Sequence, residues 1–333
     1  MSAGFLAGLL PLAAQEPGVT TTVAPSETPL PADTGGSAPA SSLEEAVRLQ
    51  VFLDNSGFGP GKIDGHGGEF TTKAIVSYQK AHGLKADGNA KSLPLSQAGS
   101  AFTEYTVTSE DGKRIGPAPK QPKEEAKLKW LPYISVLELL SEKFHTTQEF
   151  LRKLNPNLKG RSPKEGDQLK VPNVKPFEIA QVEARRTKEE APEAKERSDG
   201  PWLDIDVGKK WLEVKDGERT VAGFPITPGS TSLPAPKGHW HVVSINFMPI
   251  FRYDKEMLLH GHRGAGGIPT PPGPNSKVGV VWMSLNKKGV GVHGTDEPDT
   301  IGRATSHGCI RLSNWDVIRV ADLIQPGAKV MIH

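Results

Sequence analysis

One cysteine, Cys309, occurs in 333 residues, and that scarcity excludes an internal disulfide framework. Charge of one sign is also missing. Lys+Arg number 40 against Asp+Glu 38, a net charge of +2, so no polyanion-binding bias is present. No basic patch interleaved with aromatic residues occurs, which leaves a nucleic-acid partner without support. Long hydrophobic runs are absent too. The most apolar stretch, Gly4 to Ala14, falls short of the ~20 residues needed to cross a bilayer. Its apolar middle and small-residue end predict a secretory signal, although it lacks a basic start. No other segment reaches spanning length, so the mature chain is expected to have no transmembrane span. What is plentiful is Gly (36) and Pro (29), which predicts turns and linkers, and the length suits two or three domains.

The cysteine stands in Ser306-His307-Gly308-Cys309-Ile310-Arg311, and a second histidine lies upstream in Val292-His293-Gly294-Thr295. A thiol, with an ordinary pKa near ~8.5, is a poor nucleophile until ionised. A nearby imidazole can take its proton and leave an ion pair. Glycine beside the thiol lets a substrate carbonyl approach backbone N–H groups able to hold a tetrahedral oxyanion. One Cys, one His and a Gly-flanked turn are therefore the parts of an acyl-transfer site. A lone cysteine by itself is more often a small buried hydrophobe, so the surrounding wording decides the matter.

That wording runs from His293-Gly294-Thr295 through Ile301-Gly302 to Ser306–Arg311, with a His-to-Cys spacing of 309 − 293 = 16. It continues into Leu312-Ser313-Asn314-Trp315-Asp316 and is preceded by Pro271-Pro272-Gly273-Pro274-Asn275-Ser276-Lys277-Val278-Gly279. The pattern resembles the L,D-transpeptidase (YkuD-domain) family of bacterial cell walls. The resemblance spans residues 201–333 and implies a mostly-β sandwich. Strand-like alternation over Trp202–Val207, an Asp216-Gly217 hairpin, further strands near His239–Ile245, Val278–Met283, Gly289–Val292 and Lys329–Ile332, and one late helix from Ser313 to Leu323 are consistent with it. It further implies that Cys309 attacks the carbonyl between the third and fourth residues of a tetrapeptide stem. A thioester acyl-enzyme forms, and an amine of a neighbouring stem resolves it into a 3→3 crosslink, or a protein is attached to the stem. His293 is then the base and later the acid. Gly308, Ser306 and His307 form the oxyanion and pocket group, and Arg311, Gly294 and Thr295 bind substrate. No cofactor and no metal are implied.

Three segments precede this domain. Residues 1–41 join the signal-like stretch to a Pro/Thr/Ser-rich tether that cannot bury a core. Residues 42–98 read as two helices around Gly61-Lys62-Ile63-Asp64-Gly65 and closed by Gly83-Leu84-Lys85-Ala86-Asp87-Gly88, which resembles the small helical peptidoglycan-binding domain. Residues 103–175 read as strand, helix, turn, helix, strand, which resembles a LysM module, a binder of N-acetylglucosamine-containing glycans. Asp111 to Pro132 is an insertion relative to that pattern, and its Pro-Lys-Glu composition predicts a solvated loop. Residues 176–200, almost all charged or Ala, predict a solvated linker.

The expected protein is an exported, monomeric enzyme of the periplasm or cell envelope, acting in peptidoglycan biosynthesis and cell-wall organisation. Its partners are stem peptides and glycan strands. Rival readings remain. Water in place of the amine acceptor gives an L,D-carboxypeptidase or endopeptidase, and a damaged Cys/His pair would have meant a non-catalytic wall-binding protein. His239-Trp240-His241 and His260-Gly261-His262 place imidazoles two apart, as zinc ligands on a strand would be, but no acidic helix motif accompanies them. Since every catalytic candidate lies in residues 201–333, that fragment is expected to retain chemistry alone.

Overall fold

The computed structural model describes residues 43–188, 192–230, 233–256, 264, 266–303 and 308–333. The signal-like segment and tether expected over residues 1–41 lie outside them, as do His260 and His262. Among the described residues no helix is long and apolar enough to cross a membrane.

The first region holds α1 (Leu43–Asn55) and α2 (Glu69–Ala81). Each helix carries a buried glutamine that clamps an Asp-Gly turn. Gln50 Oε1 accepts from the Gly65 N–H at 2.8 Å, while its Nε2 donates to the His66 carbonyl at 3.0 Å. Gln79 repeats the device, accepting from the Gly88 N–H at 2.9 Å and donating to the Asn89 carbonyl at 3.1 Å. A buried amide can satisfy both its donors and its acceptor this way, so Gln50 and Gln79 serve to fix the loops.

The second region runs β1 (Phe102–Thr106), α3 (Ser109–Lys113), α4 (Pro122–Glu125), α5 (Val136–Lys143), α6 (Gln148–Leu154) and β2 (Gln168–Pro172). β1 and β2 pair antiparallel, Phe102 opposite Pro172. Side chains of Ser135 and Thr147 cap α5 and α6. The insertion is mostly exposed, as its composition predicts, but its end is pinned to the rest of the protein. Ile115 bridges Tyr133 at its neck, and the Leu131 N–H donates to the Pro272 carbonyl at 2.9 Å. Asn275 Nδ2 donates to the Pro132 carbonyl at 2.8 Å. The last region thus takes up the backbone groups of Leu131 and Pro132, which composition cannot reveal.

The charged linker is likewise docked. α7 (Ile179–Ala184) buries Ile179 and Val182, and Phe177 is buried just before it. Beyond it the Thr187, Ala194 and Arg197 N–H groups donate to the carbonyls of Phe247, Val243 and Gly327.

The last region contains β3 (Trp202–Asp206), β4 (Trp211–Asp216), β5 (Arg219–Pro225), β6 (Gly238–Phe247), β7 (Phe251–Tyr253), β8 (Ile268–Thr270), β9 (Val281–Leu285), β10 (Gly291–His293), β11 (Ile310–Arg311), α8 (Asn314–Leu323) and β12 (Lys329–Ile332). Eight strands form one sheet in the order β11-β10-β9-β6-β12-β3-β4-β5. The long β6 pairs with β12 through its first half and with β9 through its second, with a register shift at Val242/Ser244. A bulge of this kind bends a strand. The expected sandwich therefore takes the form of a single curled sheet folded over β6, with Leu203, Ile205, Val242, Met283, Val292 and Val330 inside. β7 and β8, a separate pair, were not legible in the sequence.

The regions interlock. Trp211 and Glu213 leave the outer face of β4, where α2 covers them: Ser77 Oγ donates to Glu213 Oε1 at 2.6 Å and accepts from Trp211 Nε1 at 3.0 Å. Gly223 leaves room for that indole, since a Cβ there would stand 2.9 Å from Trp211 Cζ2. A second junction joins three regions. Arg319 of α8 makes a two-pronged bond with buried Asp54 of α1 (2.6 and 3.0 Å), and His145, between α5 and α6, reaches the same carboxylate at 3.0 Å while stacking on Trp315.

Candidate active site

Cys309 lies one residue before β11, and His293 ends β10. These two strands run parallel, with Val292 opposite Ile310 and His293 opposite Arg311. Side chains alternate between faces of a strand, so Val292 and Ile310, both fully buried, turn to the core. Cys309, Arg311 and His293 share the other face. The loop before the cysteine is braced from outside the domain. Lys62 pairs with Asp299 at 2.7 Å, and Gly302 (φ +76°) lies so close to Phe70 that a Cβ would stand 2.1 Å from its ring.

His293 is buried, stacked on Trp282 at 5.1 Å between ring centres, and its Nδ1 lies 2.7 Å from the Gly294 carbonyl. A carbonyl only accepts, so Nδ1 carries the proton and Nε2 is the basic nitrogen. Burial pushes the imidazole pKa down to about 4, helped by the Arg311 charge and opposed by the Gly294 carbonyl. The Cys309 thiol donates to the Gly289 carbonyl at 3.7 Å. Burial pushes its pKa up, against the pull of the Gly291 backbone N–H and of Arg311. At neutral pH both groups are uncharged. The resting site thus favours thiol and imidazole over the ion pair that sequence alone suggests.

Gly308 is buried with φ +96°, a conformation a side chain would strain. It therefore sets the direction of the chain into Cys309. Gly294 and Thr295 do not touch the cavity described next. Gly294 fits because a Cβ would meet Asn314 Oδ1 at 2.3 Å, and Thr295, fully buried, accepts from the Glu297 N–H at 3.1 Å. Both shape the site from behind and do not present substrate-binding groups to it. Ser306 and His307 lie outside the described residues. His239 is exposed and His241 stands 4.0 Å from Glu196, outside the cavity that holds Cys309.

Cys309, His293, Arg311 and Trp282 line a cavity of about 1140 Å³. Its other walls were not legible in the sequence as site residues. Lys277, Asp296 and Glu297 form one, with Lys277 ion-paired to Asp296 and 3.6 Å from Glu297. Lys277 sits in the motif read above, and Trp282 on a predicted strand, so these two had a signal. Lys120, Gln121, Pro122 and Glu125 of the insertion, and Arg186 and Lys188 of the linker, had none.

Behind the site Asn314 holds three segments. Its Oδ1 accepts from the Val280 N–H at 3.1 Å, and its Nδ2 donates to Glu142 Oε1 at 2.7 Å and to the Pro274 carbonyl at 3.2 Å. Glu142 belongs to α5, and burial pushes its carboxyl up to about 7. The Ser-Asn that follows the cysteine motif thereby ties the catalytic strands to the module before them.

Comparison with known proteins agrees with this geometry. Residues 200–332 match the L,D-transpeptidase catalytic domain family (YkuD), and residues 42–91 match the family described as "Putative peptidoglycan binding domain". A Bacillus licheniformis protein named "Putative L,D-transpeptidase YkuD" is 26% identical over 59% of this chain and 92% of its own length. A Bacillus subtilis protein of the same name is 30% identical over 39% of this chain and 63% of its own. Among solved structures, an L,D-transpeptidase from Mycobacterium smegmatis overlaps 40% of this chain and 58% of its own at TM-score 0.33 and 19% identity. The chain thus carries a YkuD-type L,D-transpeptidase catalytic domain preceded by a peptidoglycan-binding domain.

Proposed function

We propose that the protein is a cysteine-dependent L,D-transpeptidase of the cell envelope that joins peptidoglycan stems by 3→3 crosslinks. The observation that carries this is the common face of β10 and β11, which turns Cys309, His293 and Arg311 toward one peptide-sized cavity. A donor stem lies with the carbonyl of its third residue at the sulfur. His293 Nε2 takes the thiol proton as sulfur attacks, and backbone N–H groups at Gly308 and Cys309 hold the oxyanion. The tetrahedral intermediate collapses, the bond to the fourth residue breaks, and the imidazolium returns its proton to the leaving amine. An amine of a second stem then attacks the thioester, His293 accepts its proton, and the thiolate departs and is reprotonated. Arg311 pairs with a substrate carboxylate, a partner its fork-shaped head fits. The first two regions hold the enzyme on the wall, the LysM-like one through glycan strands.

Incubation with purified muropeptides followed by mass analysis tests this. A dimer gained with loss of the terminal residue is the expected product. A trimmed tripeptide alone identifies water as acceptor, and no change refutes catalysis. A carbapenem is expected to acylate the same thiol and add its mass to the peptide holding Cys309.

A further inference from the structure

The cavity around Cys309 is not made by the catalytic domain alone. Lys120, two residues before α4 in the insertion, and Arg186 and Lys188, in the docked linker, line it together with Arg252 of β7. All four are exposed, and none has a carboxylate partner among the described residues. The acids of the same cavity are already engaged. Asp254 accepts the N–H groups of Glu256 and Gly264, Asp296 and Glu297 surround Lys277, and Glu125 faces Lys277 as its nearest opposite charge. The cavity therefore offers a cluster of unpaired cations to whatever enters it. Three of the four come from segments that precede the catalytic domain.

The insertion is held where it can do this. Leu131 and Pro132 are bonded to Pro272 and Asn275, and Gly273 permits the contact, since a Cβ there would stand 2.1 Å from the Leu131 carbonyl oxygen. These bonds hold the insertion beside the stretch that leads into Lys277 and Val278 of the cavity wall.

We propose that Lys120, Arg186, Lys188 and Arg252 form a carboxylate-binding subsite for acidic stem peptides, supplied mainly by the preceding module and linker. The inference rests on the stem-peptide reading above. Exposed cations opposite a carboxylate act through attraction that salt screens, and they favour capture of the substrate over the bond-breaking step.

The test uses the full chain and two soluble tetrapeptide stems, one with its side carboxylates free and one with the same groups amidated. For wild type the free-acid stem should show a KM about tenfold lower than the amidated stem, a preference that fades as salt rises. The triple variant Lys120→Glu, Arg186→Glu, Lys188→Glu should lose the preference, with the change falling on KM. The single variant Lys120→Gln should lose part of it and guards against misfolding of the triple one. Cys309 alkylation at the wild-type rate would report an assembled site. Equal KM for both stems in wild type, or a preserved preference in the folded triple variant, overturns the subsite. Failure of wild type to form a Cys309 adduct or product with either stem overturns the functional reading first, and this inference with it.

Discussion

Replacing Arg319 by Met should loosen the whole molecule, because Arg319 is the cation that lets Asp54 be buried. The Asp54 side chain has no exposed surface, and Arg319 holds both its oxygens, at 2.6 and 3.0 Å, with His145 on the same carboxylate. Burial alone would raise the Asp54 pKa. The Arg319 and His145 contacts together overcome it and hold the carboxyl below the ordinary range. Removing one partner of a buried pair costs about 3–5 kcal/mol at neutral pH. Asp316, also near Arg319, is pushed up to about 7 by burial, so it carries only part of a charge there and contributes less to the loss. The sign with pH follows from Asp54. Its folded pKa is depressed, so its stability contribution is present above the unfolded value near ~4 and is lost as pH falls below it. In the variant Asp54 can take up a proton in mild acid, so the deficit should shrink between pH 7 and pH 4. Urea unfolding followed by tryptophan fluorescence at both values measures this. Asp54→Asn combined with Arg319→Met should recover at least half the loss, since no buried charge is then left unpaired. A deficit under about 1 kcal/mol at pH 7, or a double variant that loses the sum of the two single losses, would refute the reasoning.

The other outcomes concern the site. Cys309→Ala should abolish every covalent adduct and all turnover, and Cys309→Ser should be nearly inactive, because a hydroxyl is far harder to ionise; full activity in Cys309→Ala would overturn the catalytic reading. In wild type the thiol should react with an alkylating agent more slowly than free cysteine at pH 7, since burial raises its pKa; a faster reaction would show an ion pair at rest. His293→Ala should slow acylation about 10²–10⁴-fold. The acid limb of the wild-type acylation profile should fall near pH 4, where the buried imidazole gains its proton, and a limb near the ordinary imidazole value would refute the shift by burial. A fragment of residues 201–333 should fold poorly and lose muropeptide turnover, because it exposes Trp211, buries Glu213 no longer, and frees the loop braced by Phe70 and Lys62; turnover at the full-chain rate would show these contacts to be dispensable.

Most elements were readable in the chain. The helices around Leu43–Asn55 and Glu69–Ala81, the hairpin turning at Asp216-Gly217 and the last helix carry short-range signals of period, turn and cap. The short β11 did not, because two residues hold no period of their own. Cys309 and His293 were legible because their chemistry is tied to local wording, and the 16-residue spacing is spanned by one parallel strand pair.

The sequence by itself marked Cys309 and His293 as the candidate pair and carried the fold class. Tertiary structure alone decided the protonation of the site, because burial of an imidazole and a thiol is a property of everything packed around them. It alone decided that a charged linker and a Pro-Lys-Glu insertion are walls of the cavity, because backbone groups in both find partners far along the chain, Thr187 at Phe247 and Leu131 at Pro272. Composition records which groups prefer water. It does not record which of them a distant strand will satisfy instead.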